Sequence, residues 1–266
     1  MLASQRQARI LSEVQRRGAV RVSQLAELLG VSDMTIRRDL DLLAGQGLLD
    51  KVHGGATAGS LSLSTDEPGF EAKWMQQQPE KEAISRAAVP LVRPGMAIGL
   101  SAGTTTWTLA QQLRDVADLT IVTNSMLVAQ VFHRGSGSNQ TVILTGGVRT
   151  PSDALVGPVA VSALHQLHLD IVFLGVHGMT ERAGFSTPNL LEADVNRALV
   201  GAANRLVVVT DHTKWGQVGL SSIARLDEAD MLITDSGLDP DAARLLGELV
   251  GELVVVEVVE TAEEPQ

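Results

Sequence analysis

The stretch IGLSAGTTTWTL, residues 98–109, gathers hydroxyl groups and glycines at a strand-to-helix turn. Apolar Ile98, Gly99 and Leu100 close a buried strand, and residues 106–113 open a helix. Between them Gly99, Ser101 and Gly103 match the G-x-S-x-G of a hydrolase nucleophile elbow, which would make Ser101 a nucleophile. The same turn suits anion binding, because free backbone N–H groups and the dipole at a helix N-terminus hold phosphate without catalysing anything. A serine nucleophile needs an ordered base, and His177 and His212 are available by type, yet no order of Ser, acid and His stands out. An elbow is also expected after several strand-helix units of a sheet, whereas Ser101 follows the first strand of this one. The anion cradle is the better reading.

Apolar, β-branched runs recur at 96–100, 119–123, 141–145, 169–175, 206–210, 231–234 and 253–259. Most are separated by helix-length segments (126–134, 157–167, 191–204, 239–250), so the spacing predicts an α/β domain with a mainly parallel sheet. Such sheets bind ligands beyond the carboxyl ends of their strands. The exits there carry the hydroxyls, amides, glycines and charges that a small phosphate-bearing ligand requires, and the candidates are Ser101, Gly103, Thr104, Thr105, Asn124, Gly146, Gly147, His177, Asp211 and Lys214. Gly103, Thr104 and Thr105 would offer N–H groups and hydroxyls to phosphate, Lys214 a point charge, and Asp211 an acceptor for sugar hydroxyls. Singly, each is an ordinary turn or capping residue; six such exits together favour a ligand site. Residues 184–199 read as a mobile loop running into a helix, with Asp194 and Arg197 a solvated pair. A sugar-phosphate isomerase would need a carboxylate base beside the cradle, and the exit LGVHGM, 174–179, has none. His165 and His168 have helical spacing but no third ligand, so no metal is expected, nor any cofactor or catalytic residue.

The first 57 residues differ in character. Ser4 and Gln7 fit a capping box before Ile10, Leu11 and Val14, with Gly18 as the stop. Ser23 can cap a second helix with Leu25, Ala26 and Leu29 inward and Gly30 at its end; Ser32 can cap a third, lined by Ile36, Leu40 and Leu43. So tight a turn is that of a helix-turn-helix. Around the third helix Met34 and Arg38 point outward, with Thr35 and Arg37 on the flanks, where a recognition helix meets the major groove. GLLDKVHGGAT then reads as a β-hairpin wing carrying Lys51 and His53. Arg37 and Arg38 could instead pair with Asp33 and Asp41 on a solvated face, but the helix pair and basic wing favour nucleic acid.

The 266 residues hold no cysteine, which excludes a disulfide framework and thiolate chemistry. A net charge of −10 argues against a polyanion partner until it is divided: residues 1–57 hold 8 Lys+Arg against 6 Asp+Glu, the remainder 13 against 25. The expected organisation is a DNA-binding domain at 1–57, a linker and lead-in helix at 58–80, an α/β domain at 81–260 and a disordered tail at 261–266, with helical stretches around 71–75 and at 80–91 divided by Pro79. MLASQRQARI lacks a signal-peptide pattern and no run reaches the ~20 apolar residues of a membrane span, so a cytoplasmic protein without membrane contact is expected.

Residues 6–56, through VSDMTIRRDL and GLLDKVHGGA, closely resemble the winged helix-turn-helix of the DeoR family of bacterial transcriptional regulators. The resemblance implies that Thr35, Arg37 and Arg38 hold the DNA after the Ser32 cap, with Lys51 and His53 assisting. Asp33 and Met34 occupy its unspecified positions and are the candidates for operator choice. The remainder is similar to the family's effector domain and, more distantly, to ribose-5-phosphate isomerase, in its GTT, TNS, TGG, GFSTPN and DHTKWG runs. It departs at Ser101, where many relatives have Asp, and at Asn196-Arg197, where many have Lys-Arg; both bear on which effector is bound. The resemblance implies a regulator of double-stranded operator DNA, a repressor of a carbohydrate catabolism operon controlled by a phosphorylated sugar, acting as a homodimer or higher homo-oligomer. The alternative is an isomerase-like enzyme with an appended DNA-binding head.

Overall fold

The computed structural model describes residues 6–7, 9–11, 13–14, 19–45, 49–52, 54–57, 70–133, 139–150 and 152–258, with backbone alone for 19, 45, 50, 51, 52, 57, 71, 72 and 133. The expected Ser4 cap, Gly18 stop, wing residue His53, linker span 58–69 and tail 261–266 lie outside the described residues, and so does the Lys51 side chain. The chain divides into two compact units, residues 1–62 and 63–266.

In the first unit, residues 6–7, 9–11 and 13–14 are helical, followed by β1 (Ala19–Arg21), α1 (Val22–Leu29), α2 (Asp33–Gly45), β2 (Asp50–Val52) and β3 (Gly55–Thr57). Ile10, Val14, Leu25, Leu29, Ile36, Leu40, Leu43 and Leu49 form one core. The wing is there, with a third strand not foreseen: β3 pairs antiparallel with both β2 and β1. Three residues are too few to show alternation, but Gly55 betrays the pairing, since a Cβ there would meet Val20 O at 2.2 Å. Ser23 is not the cap of α1. The helix starts a residue earlier because Val22 is buried, and Gln24 Oε1 accepts from the Arg21 N–H (3.1 Å) instead. Gly30 ends α1 at φ 64, and Ser32 Oγ caps α2 by accepting from Thr35 N (3.3 Å).

The second unit is built on seven strands: β4 (Ala97–Leu100), β5 (Thr120–Thr123), β6 (Thr141–Leu144), β9 (Ile171–Leu174), β12 (Leu206–Val209), β14 (Met231–Asp235) and β15 (Leu253–Val256). All pair in parallel, in the order β15-β14-β12-β9-β4-β5-β6, while β7 (Val148–Arg149) and β8 (Leu155–Val156) form a separate antiparallel pair. Helices cover both faces. Ile171 and Phe173 pack with Ile84 of α4 (Gln78–Ala88), Leu109 of α5 (Thr104–Gln112) and Val128 of α6 (Met126–His133). Val172 and Leu174 pack oppositely with Leu164 of α7 (Pro158–Leu164), Leu199 of α8 (Leu190–Gly201) and Leu246 of α9 (Pro240–Leu249). Burial on both faces is why the strands read as unbroken apolar runs. Among the described residues no helix is long and apolar enough to cross a membrane.

Two expectations are corrected. Residues 184–187 are not a loop but a buried strand, β11 (Gly184–Thr187), between β10 (Gly178–Thr180) and β13 (Ser221–Ala224) in a small antiparallel sheet. Its hydroxyls disguise it, since Ser186 Oγ is spent on backbone, donating to Gly178 O and accepting from Gly219 N. Pro79 does not divide two helices; it sits in the first turn of α4, where its missing N–H costs nothing. The break from α3 (Phe70–Trp74) falls at Gln77, φ 50.

Close backbone approach makes the small sheet intolerant of added atoms: a Cβ at Gly178 would meet Gln217 O at 2.2 Å, whereas Gly201 faces open space at the end of α8. Gly178→Ala is expected to destabilise the protein by about 2 kcal/mol or more and Gly201→Ala to stabilise it by about 0.5–1 kcal/mol. Denaturant midpoints of the two variants check both signs.

Candidate functional site

After β4 the chain adds β5 and β6 on one side, then returns to place β9 on the other side of β4. The strand order reverses between β4 and β9, and an α/β sheet opens its crevice at the carboxyl ends of such a pair. Ser101 and Gly175 lie at these two exits. Ser101 is fully buried and its Oγ accepts from the Gly175 N–H (2.9 Å), which stitches the exits together. Asn124, from the β5 exit, accepts from the Ala102 N–H through Oδ1 (2.8 Å) and donates to Leu155 O (3.4 Å). Ser101 and Asn124 therefore hold the turn rather than face out of it, and the Ser101 hydroxyl is placed as a scaffold atom.

What the turn presents is backbone. Gly103 supplies no side-chain cap to α5, and the first α5 amide bonded to a carbonyl is that of Trp107, to Gly103 O (3.1 Å). Among the described residues the amides of Thr104, Thr105 and Thr106 meet no acceptor; they are the orphan donors of the helix start, an anion-binding arrangement. Thr106 turns its hydroxyl back to Ser101 O (2.7 Å), while the Thr104 and Thr105 hydroxyls make no hydrogen bond among the described residues.

The other candidates fall along the same edge. His177, half-buried, follows β9 and donates its backbone N–H to Ser186 O (3.1 Å). Asp211 is buried after β12, where Oδ1 accepts from Thr213 N (3.0 Å) and from the Thr213 hydroxyl; Lys214 ends the 3-10 turn that Asp211 caps. With β9 between them, β12 and β4 stand about 10 Å apart, a span suited to a small ligand. Gly146 and Gly147 lie farther off, past edge strand β6; Gly147 (φ 114) is needed there because a Cβ would meet Val156 O at 2.3 Å. Asp194 and Arg197 form an exposed ion pair on α8 (2.6 Å). A groove of about 640 Å³ between α7 and α8 is lined by Val161, Leu164, Leu191 and Ala198 and by none of the candidate effector residues.

Three polar groupings escaped the sequence reading. Lys81 is a buried lysine on the face of α4 that also buries Ile84, Ser85 and Ala88. Its place in that stripe was the legible signal. Glu192, buried in the first turn of α8, accepts from Thr150 Oγ1 (2.9 Å) and from the Ser152 hydroxyl. His212 Nδ1 meets Asp235 Oδ2 at 2.6 Å, joining the β12 and β14 exits. Neither of these last two shows in sequence, because the partners are 42 and 23 residues apart.

On the first unit, Asp33, Arg37 and Arg38 are exposed, Met34 is 62% exposed and Thr35 half-buried. Asp39, next along, turns inward and takes Arg6 Nε (2.6 Å) and Gln7 Nε2 (3.1 Å), anchoring the first helical segment to α2. One short run thus supplies both an outward arginine pair and its inward anchor.

The His212–Asp235 pair titrates with a definite sign. The side-chain bond to Asp235 outweighs burial and lifts the imidazole above its ordinary 6.5. Burial would push the Asp235 carboxyl up, but His212 and the amides of His212 and Gly237 hold it below its ordinary 3.8. The imidazole's contribution is fully present below 6.5 and lost as pH rises through its raised value; the carboxylate's is present above 3.8 and lost as pH falls through its lowered one. Asp235→Asn should therefore cost most between pH 3.8 and 6.5. A loss of about 2 kcal/mol in that window, shrinking at alkaline pH, is the outcome expected from chemical denaturation at several pH values.

Residues 6–60 match the model of the DeoR-like helix-turn-helix domain and residues 76–236 that of the DeoR C terminal sensor domain. A putative aga operon transcriptional repressor of Escherichia coli O157:H7 is 34% identical over 254 residues, 95% of this chain and 94% of that one. The regulator GolR of Listeria innocua is 34% identical over 90% of this chain and 93% of its own, and GlpR of Haloferax volcanii 35% identical over 91% and 93%. Among solved structures, ribose 5-phosphate isomerase A of Methanocaldococcus jannaschii overlaps 51% of this chain and 53% of its own, at 18% identity and a TM-score of 0.37.

Proposed function

The chain belongs to the DeoR family of transcriptional regulators, and we propose that it is a repressor of a carbohydrate catabolism operon whose hold on DNA is set by a phosphorylated sugar in the carboxyl-end crevice. The uncapped start of α5 at the strand-order reversal carries this reading, because its orphan amides, with Lys214 across the crevice, are groups that bind a phosphate dianion. Asp211 and the Thr104 and Thr105 hydroxyls supply hydrogen-bonding groups for the sugar. Among the described residues Asp235 spends both carboxylate oxygens on His212 and Gly237, whereas Asp211 gives Oδ1 to Thr213 and keeps Oδ2 for a ligand.

On the DNA side Thr35, Arg37 and Arg38 hold the phosphate backbone, Ser32 fixes the start of α2, and Asp33 and Met34 reach base edges. Lys51 and His53 assist from the wing. One such helix reads few base pairs, so the protein acts on double-stranded operator DNA as a homodimer or larger homo-oligomer. The effector needs only a different affinity for the DNA-competent and DNA-incompetent states.

Two variants separate the halves of this reading. Arg37→Ala/Arg38→Ala should weaken operator binding by about a hundredfold or more while sparing effector binding. Fluorescence anisotropy on an operator duplex at fixed salt reads the first, calorimetry the second; unchanged operator affinity would remove α2 as the reading helix. Lys214→Ala should leave operator affinity unchanged and raise the effector concentration for half-response about tenfold or more, and a wild-type response curve would take Lys214 out of the site.

A further inference from the structure

Lys81 is 4% exposed, yet no carboxylate among the described residues stands within ion-pair distance of it. Its ammonium donates to two backbone carbonyls, Lys73 O and Gln76 O, both at 2.6 Å. An ammonium has three donors, so one is left without an acceptor among the described residues. Burial lowers the Lys81 pKa to about 8; the charges that bear on it are Asp211 and Lys214 at the β12 exit, Glu80 on its own helix and Lys73 on α3. Ser85, one turn along the same face, donates to Thr105 O (3.3 Å) in the first turn of α5. Helix α4 thus meets the first turn of α5 at Ser85, while its Lys81 feels the charges of Asp211 and Lys214 at the β12 exit.

The two carbonyls belong to a different element. Lys73 is in α3 and Gln76 in the corner before α4, and α3 rests on α5 through aromatic rings: Trp74 meets Trp107 edge to face at 4.4 Å, and Phe70 meets Trp107 at 6.1 Å. Helix α3 follows residues 58–69, through which the chain passes from the DNA-binding unit. One side chain therefore ties the crevice to the lead-in from the reading head.

We propose that Lys81 is a relay: phosphate in the crevice draws its ammonium away from the Lys73 and Gln76 carbonyls and so releases the α3–α4 corner. The proposal rests on the crevice being a phosphosugar site. The exchange is driven by charge, because the phosphate dianion offers the buried ammonium an ion pair where the two carbonyls offer only dipoles. Release of the corner is the two-state element that occupancy biases, and the chain beyond it leads to the DNA-binding unit.

Hydrogen exchange of the full-length protein, with inorganic phosphate against chloride at matched ionic strength, tests this, with the thermal midpoint recorded alongside as the measure of binding. In the wild type phosphate should raise the midpoint and speed exchange of residues 70–77 about fivefold or more. In Lys81→Met, which keeps the apolar stem, those amides should exchange fast without phosphate and not respond to it; Lys81→Arg should restore the response. A raised midpoint with unchanged or slowed exchange at 70–77 in the wild type would overturn the relay and leave the site standing, even if Lys81→Met fails to fold. A Lys81→Met protein that responds like the wild type would overturn it too. No midpoint shift in the wild type would remove the site itself, and the relay with it.

Discussion

Seven strands running the same way force every strand exit onto one edge of the sheet, and the rest of the sensor unit follows from that constraint. A parallel sheet must be covered on both faces by its crossover helices, so ligand-facing groups have nowhere to gather except that edge. The reversal of strand order between β4 and β9 then opens the edge at one place. The Gly175 N–H to Ser101 Oγ bond closes the bottom of that opening, and Asn124 holds the turn above it. These contacts leave the amides at the start of α5 without partners among the described residues, which is the condition for holding an anion.

Much of this was legible because burial on two faces writes itself into sequence. The seven strand runs, the helices between them and the glycine and hydroxyl turns all emerge from apolar periodicity and turn chemistry. Strands that are short or rich in hydroxyls did not emerge. β1 has three residues, and β11 spends its Ser186 hydroxyl on backbone that lies far off in sequence. The start of α1 was misplaced because serine is a better cap by type than arginine, while burial of Val22 decided where the helix begins. Local preference lost to tertiary packing.

The candidate site was legible by type more than by role. Ser101 and Asn124 were chosen for groups that could face a ligand, and both turn inward to hold backbone. The amides they leave exposed at Thr104 and Thr105 could be inferred, since a helix start after a glycine-rich turn has free donors whatever its side chains. His212 with Asp235, and Glu192 with Thr150 and Ser152, are pairings between distant positions that only the fold brings together. The TIRRDL run is the reverse case: alternate burial on α2 sends Arg37 and Arg38 outward and Asp39 inward, as helical spacing requires.

A DNA-reading unit with an exposed arginine pair and a sensor unit with an uncapped helix start form one regulator only if occupancy of the second changes the hold of the first. The direct measurement is fluorescence anisotropy of the wild-type protein on a duplex from the region upstream of its own gene, at fixed salt, titrated with phosphorylated sugars and with the same sugars unphosphorylated. Specific binding that one phosphorylated sugar alters, while its unphosphorylated form does not, is the result the account predicts. Specific binding that no phosphorylated sugar alters, or that the unphosphorylated form alters equally, would contradict it.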